Sequence, residues 1–318
     1  MKKSAAMGGI IWCGLAAANL ANRVNLSWIE LLFLFAPLVI VPLGLELTAQ
    51  VDAERKPGGF ERVARYLQFP AALSVVGSFF FSRTISATAF VLPWLVFCAF
   101  LSLAALVRIA RGALSRLDRT CTVAAFLYIS IGATWLAASR MSLTPIGFQE
   151  PIVLLTAVHF HYAGFAAPLL ARSTARALAV GKENREVPGI FKLVGAGVLL
   201  GPALLAAGFV IGPRLKLVAA LVLPVSEIAL AISFLAVLRT IPRAGAKLLL
   251  SVAAASALFS MALAAVWAVG EFPLQPFVHL DQMAHLHGTA NAFGFTLCGL
   301  LGWILAGPSP AGHKVIPQ

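Results

Sequence analysis

The sequence predicts an all-α fold, a polytopic membrane helix bundle of about ten transmembrane helices with both termini in the cytoplasm. Three observations lead to this prediction. Of the 318 residues, 60% are hydrophobic and only 11% are charged, whereas a soluble domain carries about 25% charged residues. The mean hydropathy is +0.92. The apolar residues are also gathered into long stretches without a charge, so a soluble enzyme is excluded and one integral membrane domain is expected over residues 1–318.

Each predicted helix is an apolar stretch comparable to the roughly 20 residues that cross a bilayer core of about 30 Å. In chain order, the stretches without Asp, Glu, Lys or Arg are Ser4–Asn22, Leu31–Leu45, Tyr66–Ser82, Thr84–Val107, Thr120–Ser139, Pro151–Ala171, Leu193–Pro213, Leu248–Gly270 and Gln282–His313. A tenth stretch, Leu217–Leu238, is interrupted only by Glu227. We expect helices because an isolated strand in lipid leaves its backbone groups unpaired.

The cations predict the orientation of these helices. The chain has 24 Lys and Arg residues against 12 Asp and Glu, a net charge of +12. With the N-terminus inside, 19 of the 24 fall at the N-terminus or in segments 48–65, 108–119, 172–192, 239–247 and 307–318. The other five, on the outer side, are Arg23, Arg83, Arg140, Arg214 and Lys216. This asymmetry follows the positive-inside rule, so the basic charge indicates a lipid bilayer and not a nucleic acid as the partner.

Ionisable side chains inside predicted spans are functional candidates, because lipid disfavours them. They are Glu46, His159, His161, Glu227, His285 and His287, with Asn291 as an uncharged addition. Four of the six histidines fall in two short segments, His159-Phe-His161-Tyr162 and His285-Leu-His287-Gly288-Thr289. Glu227 follows Pro224 by three residues, and a carboxyl group beside a loosened helix is a candidate proton carrier, substrate ligand or cofactor partner.

The histidine spacing favours haem over zinc. Two positions along a helix correspond to about 200° of rotation, so the histidines of each pair point to nearly opposite faces. Zinc sites on helices use a spacing of four residues, whereas haem takes one imidazole on each face from separate helices. Gly164 and Gly294 lie near the faces of His161 and His287 and would leave room for a flat macrocycle. Asn291, one turn after His287, would orient the ligand of that histidine or form a hydrogen bond between helices.

Both segments resemble known haem-binding motifs. His159-Phe-His161-Tyr162 is similar to the HFHY motif of the haem–copper oxidase catalytic subunit, whose two histidines ligate the high-spin and the low-spin haem. His287-Gly288-Thr289 resembles the HGT motif that supplies the second low-spin ligand. The resemblance implies His161 and His287 as axial ligands of one haem, with His159 and His285 left for a second haem or a metal ion. The oxidase copper-ligand motif is absent from the sequence, so oxygen reduction is not implied.

A broader resemblance is to the YndJ-like family of bacterial multi-pass membrane proteins. It is carried by the segment from His159 to Leu170 and by the segment that begins at His287-Gly288 and ends at Gly302-Trp303. It implies a polytopic protein of the bacterial cytoplasmic (inner) membrane and implies no particular activity.

Two functional hypotheses follow. The first is a membrane haem protein, with a b-type haem because the sequence contains no CxxCH motif for covalent attachment. It would act in electron transfer or in handling O2 or NO, with a redox partner or a quinone. The alternative is a cofactor-free proton-coupled transporter or lipid-handling protein that uses Glu227 and the buried histidines.

Overall fold

The computed structural model describes residues 1–52, 57–180, 186–272 and 277–307. Over these ranges it contains ten long helices and no strand. In chain order they are α1 (Lys2–Leu20), α2 (Trp28–Val51), α3 (Gly59–Ser78), α4 (Ile85–Ala110), α5 (Leu117–Arg140), α6 (Ile152–Leu178), α7 (Gly189–Ile211), α8 (Pro213–Thr240), α9 (Ala244–Glu271) and α10 (Leu280–Ala306).

The all-α membrane bundle is confirmed, and each helix corresponds to one predicted stretch. Eight helices, all except α1 and α3, are long and apolar enough to cross a membrane. In α3 the first two turns carry Glu61, Arg62 and Arg65, and α1 is rich in small residues. Several helices extend past their charge-free stretch, because charged side chains continue the helix at its end; α6 includes Arg172 and Arg176.

Ion pairs join helix ends to one another on one side of the bundle. Arg83, before α4, lies 3.8 Å from Glu30 in the first turn of α2 and 3.5 Å from Glu150, before α6. Arg140, at the end of α5, lies 3.8 Å from Glu30. We call this side of the bundle the Glu30 end. Helix α10 also begins here, since the ring of His285 stacks on Trp28 with centroids 5.6 Å apart.

A second charged cluster joins the opposite ends of these helices. Asp52, after α2, accepts hydrogen bonds from Arg108 at 3.1 Å and from Arg172. Glu61, in the first turn of α3, accepts from Arg108 and Arg65 at 2.9 Å. These five residues form what we call the Asp52 cluster, at the Asp52 end.

The helices joined by these contacts therefore alternate in direction as predicted. Lys216 at the start of α8 pairs with Glu271 at the end of α9, and Arg243 before α9 donates to the carbonyl oxygen of Leu305 at the end of α10, so α8 and α9 continue the alternation. Positions 308–313 of the last predicted span lie outside the described residues. So do five of the predicted cytoplasmic cations, namely Arg55, Lys56, Lys182, Arg185 and Lys314.

Two helices form the centre of the bundle. Helix α6 contacts α2, α5, α7, α8 and α10, and α2 contacts α1, α3, α6 and α10. Of the eight candidate spans, these two helices are the most buried. A polar side chain on α6 can therefore reach several helices at once, whereas most other helices expose one face to lipid.

The helices α2, α6 and α10 each contain a π-helical segment, at Ala36–Ile40, Phe160–Ala166 and Ala290–Leu297. Such widened turns are rare and often occur at functional sites. Pro42 and Pro168 follow the first two segments, and proline lacks the amide donor that an α-helix needs at that position. The widened segment of α6 contacts both of the others, so the three irregular turns meet inside the bundle.

Candidate histidine site

The two histidines of α6 point to opposite faces, as predicted. His161 is fully buried and belongs to the π-helical segment. His159 is the last α-helical residue before that segment, and its side chain is exposed. Their surroundings differ completely, so the two imidazoles have different chemistry.

His161 has both ring nitrogens engaged. Its Nδ1 lies 2.7 Å from the carbonyl oxygen of Ala157, and the indole N–H of Trp94 donates to its Nε2 at 3.2 Å. The ring also packs edge-on against Phe33 and lies against Gly132, where an added Cβ would come within 2.7 Å of Nδ1. This imidazole is neutral, because one nitrogen must donate and the other accept. His161 therefore offers no free nitrogen to a metal in this structure.

The imidazole beside His287 is that of His159. Their ring centroids are 6.5 Å apart and their planes differ by 20°. Each is the eighth residue of its helix, about 10 Å from the Glu30 end at 1.5 Å per residue. The predicted pairing of His161 with His287 is therefore corrected. Residues two apart face opposite sides, and the packing of α6 selects which side meets α10.

Both imidazoles of this pair are held through Nδ1. The Nδ1 of His159 lies 2.7 Å from the carbonyl oxygen of Leu155, one turn earlier. The Nδ1 of His287 lies 2.8 Å from the carbonyl oxygen of Ser260 on α9. A carbonyl can only accept, so each Nδ1 is the protonated nitrogen and each Nε2 carries a free lone pair. Neither Nε2 has a hydrogen-bond partner in the described part of the chain.

The other predicted site residues contribute differently. His285 is exposed, and its ring stacks on Trp28 and not on another histidine. Asn291 accepts a hydrogen bond from Thr296 at 3.2 Å, within its own helix. Both glycines lie at close helix contacts, since an added Cβ would collide with Tyr128 at Gly164 and with Ser256 at Gly294. The space expected beside them for a macrocycle is therefore filled by protein.

Glu227 is a second buried polar group inside the bundle. It is 1% exposed, and its Oε2 has no hydrogen-bond partner among the described residues. It lies two turns before Phe234 on the same face of α8, and Phe234 packs against Phe295 of α10 at 6.1 Å. Because α8 and α10 run in the same direction, Glu227 lies at a depth similar to that of Gly288.

Sequence reasoning missed two features. Trp94 binds His161, and a buried indole N–H in an apolar stretch is a signal that a partner exists. The Asp52 cluster was also missed, because its arginines were interpreted only as markers of the cytoplasmic side. Arg108, Glu61 and Arg172 are each 5% exposed or less. These residues come from the ends of different helices, so their contact becomes evident only when the helices are packed together.

The fold and these contacts define an integral membrane protein of many helices, with an imidazole pair and an isolated carboxyl group in the bundle. The family model of the YndJ-like proteins matches residues 31–295, and the chain belongs to this family. The uncharacterized membrane protein YndJ of Bacillus subtilis (strain 168) is 27% identical over 222 residues, which cover 70% of this chain and 39% of that protein. The chain thus matches well under half of its relative's length. No solved structure matches the chain. The likeness to haem–copper oxidases stays a prediction.

Proposed function

We propose that this protein is a haem protein of the bacterial cytoplasmic membrane, in which His159 and His287 ligate one b-type haem between α6 and α10. Its function would be electron transfer. One observation carries the proposal: two imidazoles from neighbouring parallel helices lie at the same depth with their rings 6.5 Å apart.

The separation of these stacked rings matches in distance that of two ligands of one metal atom, and their Nε2 atoms would turn toward each other to share it. An imidazole nitrogen binds a metal at about 2.0–2.1 Å, and adding the radius of each ring gives a centroid separation of about 6 Å. The observed 6.5 Å is close to this value. Haem brings four nitrogens of its own and needs only one or two protein ligands. The described residues contain no group of three or more His, Cys, Asp or Glu side chains that could hold a bare ion.

The backbone prepares both imidazoles for ligation. The carbonyl groups of Leu155 and Ser260 fix the tautomer and the ring orientation through Nδ1. Such contacts also raise the basicity of the other nitrogen, and their loss typically costs 10- to 100-fold in metal affinity. His159 is exposed and His287 is half-buried, so protein atoms do not fully cover the pair.

Haem bound there would supply one-electron chemistry, and with both imidazoles bound its iron would keep no free position for a small gas. The chain supplies two neutral imidazoles and an apolar environment. The bond from Trp94 to His161 holds the neighbouring turn of α6 in place. A redox partner or a quinone would be required for electron transfer, and we propose neither in particular.

The test is haem titration of the purified protein in detergent, followed by its optical spectrum. We expect the wild-type protein to bind haem with a low-spin spectrum, and His159→Ala and His287→Ala each to abolish that spectrum. His285→Ala is the matched control, because His285 is two residues from His287 on the opposite face and should retain the spectrum. A wild-type protein that takes up no haem overturns the proposal, and so does an unchanged spectrum in both ligand variants.

The alternative function is proton-coupled transport without a cofactor. One observation favours it, namely that the Glu227 carboxyl group is buried without a partner for Oε2 in the described residues. A buried carboxyl group in a membrane helix is typical of proton relays and ion paths. The haem titration separates the two functions, because transport through Glu227 requires no haem uptake.

A further inference from the structure

We propose that the groove between α3 and α4 at the Asp52 end binds the headgroup of an anionic phospholipid. This site is separate from the histidine pair, which lies near the Glu30 end. The groove has a volume of about 610 Å³ and is open on one side. It is built from the first two turns of α3 and the last three turns of α4.

The lining of the groove carries more positive than negative charge, because it contains three arginines and one carboxylate, that of Glu61. Arg62, Arg108 and Arg111 all line it. Arg108 is held in place by Asp52 and Glu61. Arg62 and Arg111 are exposed and have no ion-pair partner in the described ranges. Their charge is therefore available to a ligand.

The charges beneath the groove do not cancel. The Asp52 cluster contains three arginines, Arg65, Arg108 and Arg172, against the two carboxylates of Asp52 and Glu61. Together with Arg62 and Arg111, these described residues carry an excess of three positive charges. Arg172 is 2% exposed, and its Nε and Nη1 have no hydrogen-bond partner in the residues described. An anion in the groove would be complementary to this excess.

The start of α3 adds backbone donors. Gly58 and Gly59 line the groove, and no atom lies within 4 Å of the position that a Cβ would take on either. No side chain caps this helix. The free amide groups of a first helical turn attract anions, so the phosphate of a headgroup would meet amides as well as guanidinium groups.

The rest of the groove lining is largely apolar, which favours a lipid over free phosphate. Phe60 and Phe100 lie there with ring centroids 6.2 Å apart, next to Val107. Tyr66 is 83% exposed on the same side, and aromatic side chains with a polar tip favour the membrane interface. Basic pockets between helices on the cytoplasmic side bind anionic headgroups. A headgroup at the arginines would place its acyl chain along these apolar side chains.

The experiment is native mass spectrometry of the intact protein with phosphatidylglycerol or phosphatidylcholine added to the detergent. We expect bound phosphatidylglycerol to dominate in the wild-type protein. Each cation near an anionic lipid contributes about fivefold in affinity, so the double variant Arg62→Gln/Arg111→Gln should lose about 25-fold. Both side chains are exposed, so the variant should fold normally.

The matched control removes the same charge outside the groove. Arg119 and Lys192 are exposed at the Asp52 end, and Arg119→Gln/Lys192→Gln should change the affinity less than twofold. An equal loss in both double variants would show a general attraction to the leaflet and overturn the site. Absence of a preference for phosphatidylglycerol in the wild-type protein would also overturn it, as would displacement of the lipid by millimolar inorganic phosphate.

Discussion

At the scale of single residues, hydrogen bonding decides what each histidine can do. His161 is satisfied by Ala157 and Trp94 and belongs to the packed interior. His159, two residues earlier, keeps one nitrogen free because only its Nδ1 is bonded. A buried polar group with both partners stabilises a unique packing, whereas one with a free lone pair can bind a ligand. The same motif therefore contains one structural and one candidate ligand histidine.

Asp52 is the residue on which the charged cluster depends. Burial opposes its ionised form, but the charges and hydrogen bonds of Arg172 and Arg108 prevail and hold the pKa of this carboxyl group below its ordinary value of 3.8. A carboxyl group whose pKa is lower in the folded state stabilises that state above its unfolded pKa. Its contribution is lost as the pH falls through the lower, folded value.

We expect Asp52→Asn to destabilise the protein at pH 7 by about 3 kcal/mol, because it leaves Arg172 without its ion pair. The difference from the wild-type protein should begin to shrink below about pH 3.8, where the unfolded chain binds a proton at Asp52, and should be smallest below the lower pKa of the folded state. The measurement is the thermal midpoint in detergent, by circular dichroism, from pH 3 to pH 7. Asp281→Asn, at an exposed position, is the control. A difference that stays constant over this range contradicts the assigned role.

At the scale of helices, glycines set how closely neighbours approach. Gly8 of α1 lies against the π-helical segment of α2, where an added Cβ would overlap the carbonyl group of Leu38. The obstacle is backbone, which cannot move aside as a side chain can. Small residues commonly allow such contacts between membrane helices. The N-terminal amine, 3.9 Å from Glu46, and a bond from Trp12 to the carbonyl oxygen of Leu31 complete the attachment of α1.

Gly8→Ala should therefore weaken the packing of α1 on α2 and lower the free energy of unfolding by about 1–3 kcal/mol, the usual cost of overpacking. Gly9→Ala is the matched control, because nothing lies within 4 Å of the added Cβ there. Alanine is also the better helix former by up to about 1 kcal/mol, so the control should be neutral or slightly more stable. Thermal unfolding in detergent measures both. Equal stability of the two variants would mean that α1 does not pack on Leu38.

At the scale of the whole molecule, the alternating direction of the helices places most of the described arginines at one end of the bundle. Residues next to one another at the Glu30 end come from the starts of α2 and α10, from the end of α5 and from the turns before α4 and α6. The Asp52 end collects the opposite ends and, with them, most of the described arginines. The positive-inside rule then predicts that the Asp52 end is cytoplasmic.

Cysteine labelling tests this orientation. In a background without the four native cysteines, Thr144→Cys at the Glu30 end should react with a membrane-impermeant maleimide added to spheroplasts. Ser115→Cys at the Asp52 end should react only after the membrane is permeabilised. Both positions are exposed in turns between helices, so access and not burial is measured. The reverse labelling pattern would place the Asp52 end outside and contradict the prediction from charge.

The sequence predicted the helices well and the site in part. Nine charge-free stretches and a tenth interrupted only by Glu227 correspond to ten helices, because lipid imposes an apolar length on each span. The two histidine segments were correctly placed on helices that run in the same direction. The partner of His287 was not, since spacing shows that His159 and His161 face apart but does not show which faces α10. The glycines beside them were also interpreted as space, whereas Tyr128 and Ser256 occupy it.

What the sequence determined by itself is therefore the fold class, the alternation of the helices and the short set of polar residues inside them. These follow from the composition of each segment and the spacing of its residues, which do not depend on the helices packed against it. Only the tertiary structure decided that His159 and not His161 meets His287, that Trp94 satisfies His161, and that Arg108 and Arg172 share Asp52. Each depends on the rotation of one helix against another. That rotation is set by the interlocking of many side chains at once, and no single segment of the sequence encodes it.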